Sequence, residues 1–175
     1  MKYKLTDVKI NFMGKTLFQI EAVKCFGDIV KGQKGGFIEK ESNLSQGGNA
    51  WVSGNAKVCG NAWVSGNAWV SGNAKVSGNA WVCGNAWVCG NAEVSDNAEV
   101  SGDADYLVIG PIGSRNDITT FFKTANNDIK VSCGCFTGTI EEFLEKVNET
   151  HGNNNYAKEY KTAVKIAKIH IFGGE

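Results

Sequence analysis

The residues best suited to chemistry lie in the last third of the chain. GPIGSRN, residues 110–116, sets Gly110 and Gly113 around a proline and follows them with Ser114, Arg115 and Asn116. Successive backbone amides around glycines can form an anion-binding concavity, and an arginine forks two N–H donors onto a phosphate. Lys123 and Lys130 would add charge and the nearby tyrosines stacking. Gly110, Gly113, Ser114, Arg115, Asn116 and Lys123 therefore form a candidate site for a small anionic ligand such as a nucleotide. The stretch is neither a Walker loop nor a dinucleotide fingerprint, and the plain alternative is a turn between strands. Cys133-Gly-Cys135 puts two thiols on one strand face, but no further Cys or His cluster completes a tetrahedral metal set. Two buried strand cysteines and no metal are expected there. The two histidines are His151, where a cation would favour a helix C-terminus, and His170.

A small α+β domain over 105–175 must position these groups. Residues 105–116 begin with an apolar strand, and Ile118–Lys123 and Ile129–Cys133 can pair as a hairpin around Asn126-Asn127. Thr139 and Glu142 match a capping box, opening a helix that carries Ile140, Phe143, Leu144 and Val147 and ends near Gly152. Asn155 can cap a second helix bearing Tyr156, Tyr160, Ala163, Ala167 and Ile171.

The rest of the chain looks different. Lys and Arg together equal Asp and Glu at 18 each, so the basic excess of a general nucleic-acid binder is missing. No apolar run reaches the ~18 residues of a membrane span and no secretory leader opens the sequence. A protein of the cytosol, with its six cysteines reduced, is expected. From Asn49 to Gly102 run nine hexads of the form N-A-x-V-[SC]-G, with Asp96 replacing Gly once. Strand residues alternate sides, so Ala and Val face inward while x and Ser or Cys face outward, and Gly-Asn turns the corner. Before the repeats, Val8, Ile10 and Phe12 alternate with polar residues, Met13-Gly14 turns the chain, and Leu17–Val23 returns, which reads as a hairpin cap over 1–36. Ile38 and Leu44 already keep hexad spacing, so an imperfect first coil is expected and the repeat region spans 37–104.

The spacing of Val52, Ala56 and Val58, sustained to Val100, resembles the hexapeptide-repeat left-handed β-helix. With the segment KGQKGGFIEKESNLSQGGNAWV before the repeats, it is similar to a group of bacterial and prophage β-helix proteins labelled as transferases or polymer-forming proteins. The residues after 104 resemble C-terminal domains of uncharacterised phage proteins. The likeness implies a mainly β fold in which three hexads make one triangular coil. Residues 18 apart then stack: Trp51, Trp69 and Trp87 on one side, Trp63, Trp81 and Glu99 on the second, Lys57, Lys75 and Glu93 on the third. Five outward tryptophans, each able to bury ~150–250 Å², suggest a contact surface. Homo-oligomers, most often trimers, are what this fold implies.

Many members of the fold are acetyl-CoA-dependent acyltransferases whose general base is a histidine projecting from the coils. Here no histidine lies in the coils, and no inserted loop walls a substrate site. The expectation is a non-enzymatic, oligomeric binding protein without a cofactor, encoded by a phage or prophage and acting in the bacterial cytosol. It would counter host defence by sequestering a nucleotide-type signal or by blocking a host defence protein. A virion-associated structural scaffold is the competing class, and an acyl-CoA-dependent acyltransferase the less favoured one.

Overall fold

The computed structural model describes residues 1–173, which form two compact units, Met1–Asp103 and Ala104 onward. The first unit opens with β1 (Tyr3–Phe12) and β2 (Lys15–Ala22), an antiparallel pair. Met13 (φ 52°) and Gly14 (φ 75°) join them, the doubly left-handed turn whose twist suits a two-residue hairpin. Leu5 pairs with Ile20 but Lys9 with Phe18, so β1 carries two more residues than β2 across that interval. This bulge breaks the expected alternation and leaves Val8 exposed. The buried side chains are instead Tyr3, Leu17, Ile20 and Ala22. β3 (Lys34–Ile38) then lies antiparallel to β2.

The hexads form nine two-residue strands: β4 (Trp51–Val52), β5 (Lys57–Val58), β6 (Trp63–Val64), β7 (Trp69–Val70), β8 (Lys75–Val76), β9 (Trp81–Val82), β10 (Trp87–Val88), β11 (Glu93–Val94) and β12 (Glu99–Val100). They stack in parallel as β4-β7-β10, β6-β9-β12 and β5-β8-β11, in the registers expected for a three-sided coil of three hexads. β3 joins the last stack in parallel with β5, so the N-terminal hairpin extends one side of the solenoid into a six-stranded sheet. Every Ala and Val of the repeat is buried. At the corners the backbones approach so closely that a Cβ on Gly72 (φ 67°) would lie 2.9 Å from the Gly90 carbonyl oxygen. Asn side chains tie the corners together along the axis, as where Asn67 Nδ2 donates to Asn85 Oδ1 at 3.1 Å.

An imperfect first coil is present. Ile38 stands opposite Val58 and Leu44 opposite Val64, a spacing of 20 against the 18 that separates Val52 from Val70. Two extra residues are therefore taken up between Leu44 and Val52. Asn43, fully buried at the end of a 3₁₀ turn (Glu41–Asn43), fills that coil by donating to the carbonyls of Ala62 (2.8 Å) and Gly60 (3.1 Å).

The fifth letter of the repeat has a structural reason. Each of three indoles donates to the serine sixteen residues earlier: Trp69 Nε1 to Ser53 Oγ (2.8 Å), Trp81 to Ser65 (3.0 Å) and Trp87 to Ser71 (3.0 Å). Cysteine occupies this letter at Cys59, Cys83 and Cys89, where the residue sixteen further on is Lys75, Glu99 or Asp105. Serine is thus kept wherever an indole needs an acceptor. Trp51 and Trp63 fall outside this rule, because the residues sixteen earlier, Gly35 and Gly47, precede the repeats, and Trp51 also corrects the expectation of five outward tryptophans. It points away from the coil, but the chain's own N-terminal segment covers it completely, with Phe26 and Tyr3 edge-on at 5.5 and 6.5 Å. Sixteen residues before it stands Gly35, where a Cβ would lie 2.7 Å from Trp51 Cζ2. No serine fits, and Trp51 Nε1 is buried without a hydrogen-bond partner.

The second unit is a four-stranded antiparallel meander, β13 (Tyr106–Ile112), β14 (Asp117–Lys123), β15 (Ile129–Cys133) and β16 (Phe136–Thr139), followed by α1 (Ile140–His151) and α2 (Asn155–Phe172). Thr139 caps α1 through the capping box with Glu142. Asn154, rather than Asn155, caps α2, its side chain accepting from the Ala157 amide at 3.0 Å. The two helices cover the sheet face that carries Phe121, Ile129 and Val131, contributing Ile140, Phe143, Val147, Tyr160, Ala163 and Ala167 to one core. Of the residues read on α2, Tyr156 is exposed.

Candidate functional site

The expected anion-binding loop is a turn in which the Gly113 amide is already taken. Gly110 lies within β13, and residues 113–116 form the turn into β14, closed by the Asn116 amide donating to the Gly113 carbonyl at 3.0 Å. The Gly113 amide donates to Glu159 Oε2 at 2.7 Å, so the donor that should meet an anion is occupied by a carboxylate. Ser114 and Asn116 face solvent. Lys123 sits at the far end of β14, about 20 Å from the turn at strand rise, and pairs with Asp105 at 3.5 Å. Of the six candidate residues Arg115 lines a cavity.

That cavity measures 370 Å³ and is bounded by the β15–β16 turn, α1 and the start of α2. Its basic groups are Arg115, Lys146 and His151; its apolar walls are Phe136, Phe143 and Val147; Cys133, Cys135, Thr150 and Tyr160 complete the described lining, and Lys146 Nζ also pairs with Glu149 Oε2 at 3.0 Å. α1 supplies five of these at the spacing i, i+3, i+4, i+7, i+8 from Phe143, which is one face of a helix. The aromatic rings brace one another: Phe143 meets Phe136 and Tyr160 with centroids at 5.5 and 5.4 Å, and His151 stacks on Tyr160 at 5.9 Å. His151 is the last residue of α1. Burial, reinforced by Cys133 and Glu159 and opposed by Arg115, pushes the Tyr160 hydroxyl up to about 12, so it remains a neutral donor at physiological pH.

The thiols differ from expectation. Cys133 ends β15 half-buried, with Thr119 Oγ1 donating to its Sγ at 3.3 Å, while Cys135 lies in the turn and is exposed. They are not two buried strand cysteines. Among the described residues no group of three or more His, Cys, Asp or Glu is placed to hold a metal ion.

The other candidate surface is the solenoid side. Trp63, Trp81 and Trp87 are 43%, 40% and 57% exposed, Trp69 is half-buried and Trp51 is covered. Trp63 and Trp81 stack at 5.5 Å with planes 14° apart, so each ring covers one face of the other. No helix of the described residues is long and apolar enough to cross a membrane.

Sequence reasoning missed Lys146, Thr150 and His151 as partners of Arg115. The signal was present, since all three fall on the Phe143–Val147 face of a helix whose start was recognised. None of the curated proteins matches the chain. A family model, the YdcK β-solenoid repeat, matches residues 56–72, and the stacked parallel strands give the same β-solenoid repeat architecture.

Proposed function

We propose that the protein is a non-enzymatic binding protein whose C-terminal unit holds a small anionic ligand carrying a planar ring, of the nucleotide type. The observation that carries this reading is the convergence of Arg115, Lys146 and His151 on one cavity with aromatic walls. Arg115 would fork onto a phosphate while Lys146 neutralises a second charge, and the ring would lie against Phe136 or Tyr160. The solenoid serves as a rigid scaffold, and its exposed Trp63, Trp81 and Trp87 support assembly into a homo-oligomer, a trimer by analogy with hexapeptide-repeat proteins. The likeness of the repeats to prophage proteins supports sequestration of a host nucleotide signal as the biological role, in the bacterial cytosol.

The test is a thermal-shift and calorimetric screen of the full chain against mononucleotides, cyclic oligonucleotides, ADP-ribose derivatives and acetyl-CoA. A ligand at 100 times its Kd should stabilise the unit by ~2.7 kcal/mol, and Arg115→Ala should abolish the shift. A shift that survives Arg115→Ala, or no shift with any of them, refutes the reading. A shift with acetyl-CoA alone favours acyl transfer instead.

A further inference from the structure

We infer that Cys133 and Cys135 form a thiol–disulfide modification site, oxidised by anionic low-molecular-weight disulfides of the glutathione class. The structural reason begins with the turn. Cys133 pairs with Phe136, so Gly134 and Cys135 are the two-residue loop of a hairpin, and Gly134 (φ 63°) takes the left-handed conformation at its first position. Two cysteines separated by one residue in such a turn fall within the roughly 4.4–6.8 Å Cα separation a disulfide spans, and both line the same cavity.

The surroundings favour the reaction. Cys135 is exposed, so an incoming disulfide can reach it, while Cys133 is half-buried behind it. Arg115 lies across the turn: a Cβ on Gly134 would be 3.1 Å from its Nη1. Its guanidinium makes the approach attractive to an anionic reagent. The remaining cysteines have other settings. Cys59, Cys83 and Cys89 stand at repeat positions where no indole needs a serine, burial pushes the Cys59 thiol up, and Cys25 lies outside the repeats.

The step balances as two exchanges. Cys135 Sγ, as thiolate, attacks one sulfur of the small disulfide; the S–S bond breaks, one small thiol leaves with a solvent proton, and Cys135 carries a mixed disulfide. Cys133 Sγ, deprotonated to solvent, then attacks Cys135 Sγ, forming the Cys133–Cys135 bond and releasing the second small thiol. The protein pair loses two electrons and the small disulfide gains them. The closed pair withdraws Cys133 Sγ from Thr119 and Tyr160 and pulls Cys135 over the cavity mouth, so oxidation weakens whatever the cavity holds; this last consequence alone rests on the function proposed above. Strain in so small a ring makes the bond easily reduced, as a reversible switch requires.

The experiment treats the full-length folded protein with oxidised glutathione, quenches with acid and follows tryptic peptides by mass. Peptide 131–146 carries both cysteines. It should lose two hydrogens as an internal disulfide, faster than glutathione accumulates on the exposed Cys25 and Cys89, and dithiothreitol should restore it. Cys133→Ser should stop at a mixed disulfide on Cys135, and Cys135→Ser, at an exposed position that folding tolerates, should leave Cys133 unmodified. An internal disulfide absent from the wild-type peptide, or glutathione trapped on Cys135 while Cys133 stays reduced, overturns the inference. Because the readout is mass, its failure is distinct from a failure of ligand binding.

Discussion

Replacing Ser65 by cysteine tests whether the indole sets the fifth letter of the repeat. Ser65 is buried, and its hydroxyl accepts the Trp81 Nε1–H at 3.0 Å. A thiol is a weak acceptor, so most of one hydrogen bond is lost, a net cost of about 0.5–1.5 kcal/mol. Trp81 is 40% exposed and its N–H can turn toward water, which holds the loss near 1 kcal/mol rather than at the full desolvation cost. In a unit of this size that is a fall in Tm of about 4–8 °C. Ser77→Cys is the control: sixteen residues beyond it stands Glu93, so it should stay within about 0.5 kcal/mol of wild type. All five tryptophans lie in the first unit, so urea unfolding followed by tryptophan fluorescence reports the solenoid. In a Trp81→Phe background the cost of Ser65→Cys should nearly vanish, the coupling a double-mutant cycle isolates. Equal costs for Ser65→Cys and Ser77→Cys, or an undiminished cost beside Phe at position 81, would sink the argument.

Gly35→Ala should destabilise the first unit by about 2–3 kcal/mol through overpacking, because its Cβ would lie 2.5 Å from Ile20 Cγ1 and 2.6 Å from the Val52 carbonyl oxygen; a urea midpoint unchanged from wild type would refute this. Thr139→Ala should cost about 1 kcal/mol through loss of the α1 cap, read as earlier loss of the helical circular dichroism signal. Stability should also depend on pH in the alkaline range. Burial, then the charge of Lys24, pushes the Lys2 amine down to about 8, while burial and the nearby Glu41 hold the Tyr3 hydroxyl above its ordinary range. Between pH 8 and the ordinary lysine value of 10.5 the unfolded chain binds more protons at Lys2 than the folded one, so this contribution rises with pH and is flat below 8. Above the ordinary tyrosine value of 10.0 the folded chain keeps the Tyr3 proton that the unfolded chain loses, so stability falls. Urea midpoints should therefore peak near pH 10, and Lys2→Met should remove the rise.

The solenoid was legible because its interior admits so little. A side of two residues per strand fixes Ala and Val inside, and an 18-residue register follows, which placed Trp51, Lys57 and Trp63 in their stacks. What covers an outward residue is another matter. Trp51 occupies the same repeat position as Trp69, and only the return of Tyr3, Phe26 and Gly35 from distant sequence separates their fates. The same limit governed the second unit. Arg115 was visible as a charge after two glycines, but Glu159, 46 residues beyond Gly113, claims the loop amide. Lys123 looked near in sequence, yet a seven-residue strand carries it to the opposite end of the sheet. Local patterns name the groups, and long-range packing chooses their partners.

The coil register also constrains how the gene can change. A duplication or deletion of three hexads moves every downstream residue by one whole coil and returns it to its own side. Loss of a single hexad turns all that follows by one side, bringing lysines where tryptophans stood and setting indoles over positions that hold cysteine. Repetitive coding sequence is prone to such slips, so this unit can lengthen or shorten cheaply in steps of one coil, whereas a single-hexad change mismatches the coil that spans the junction.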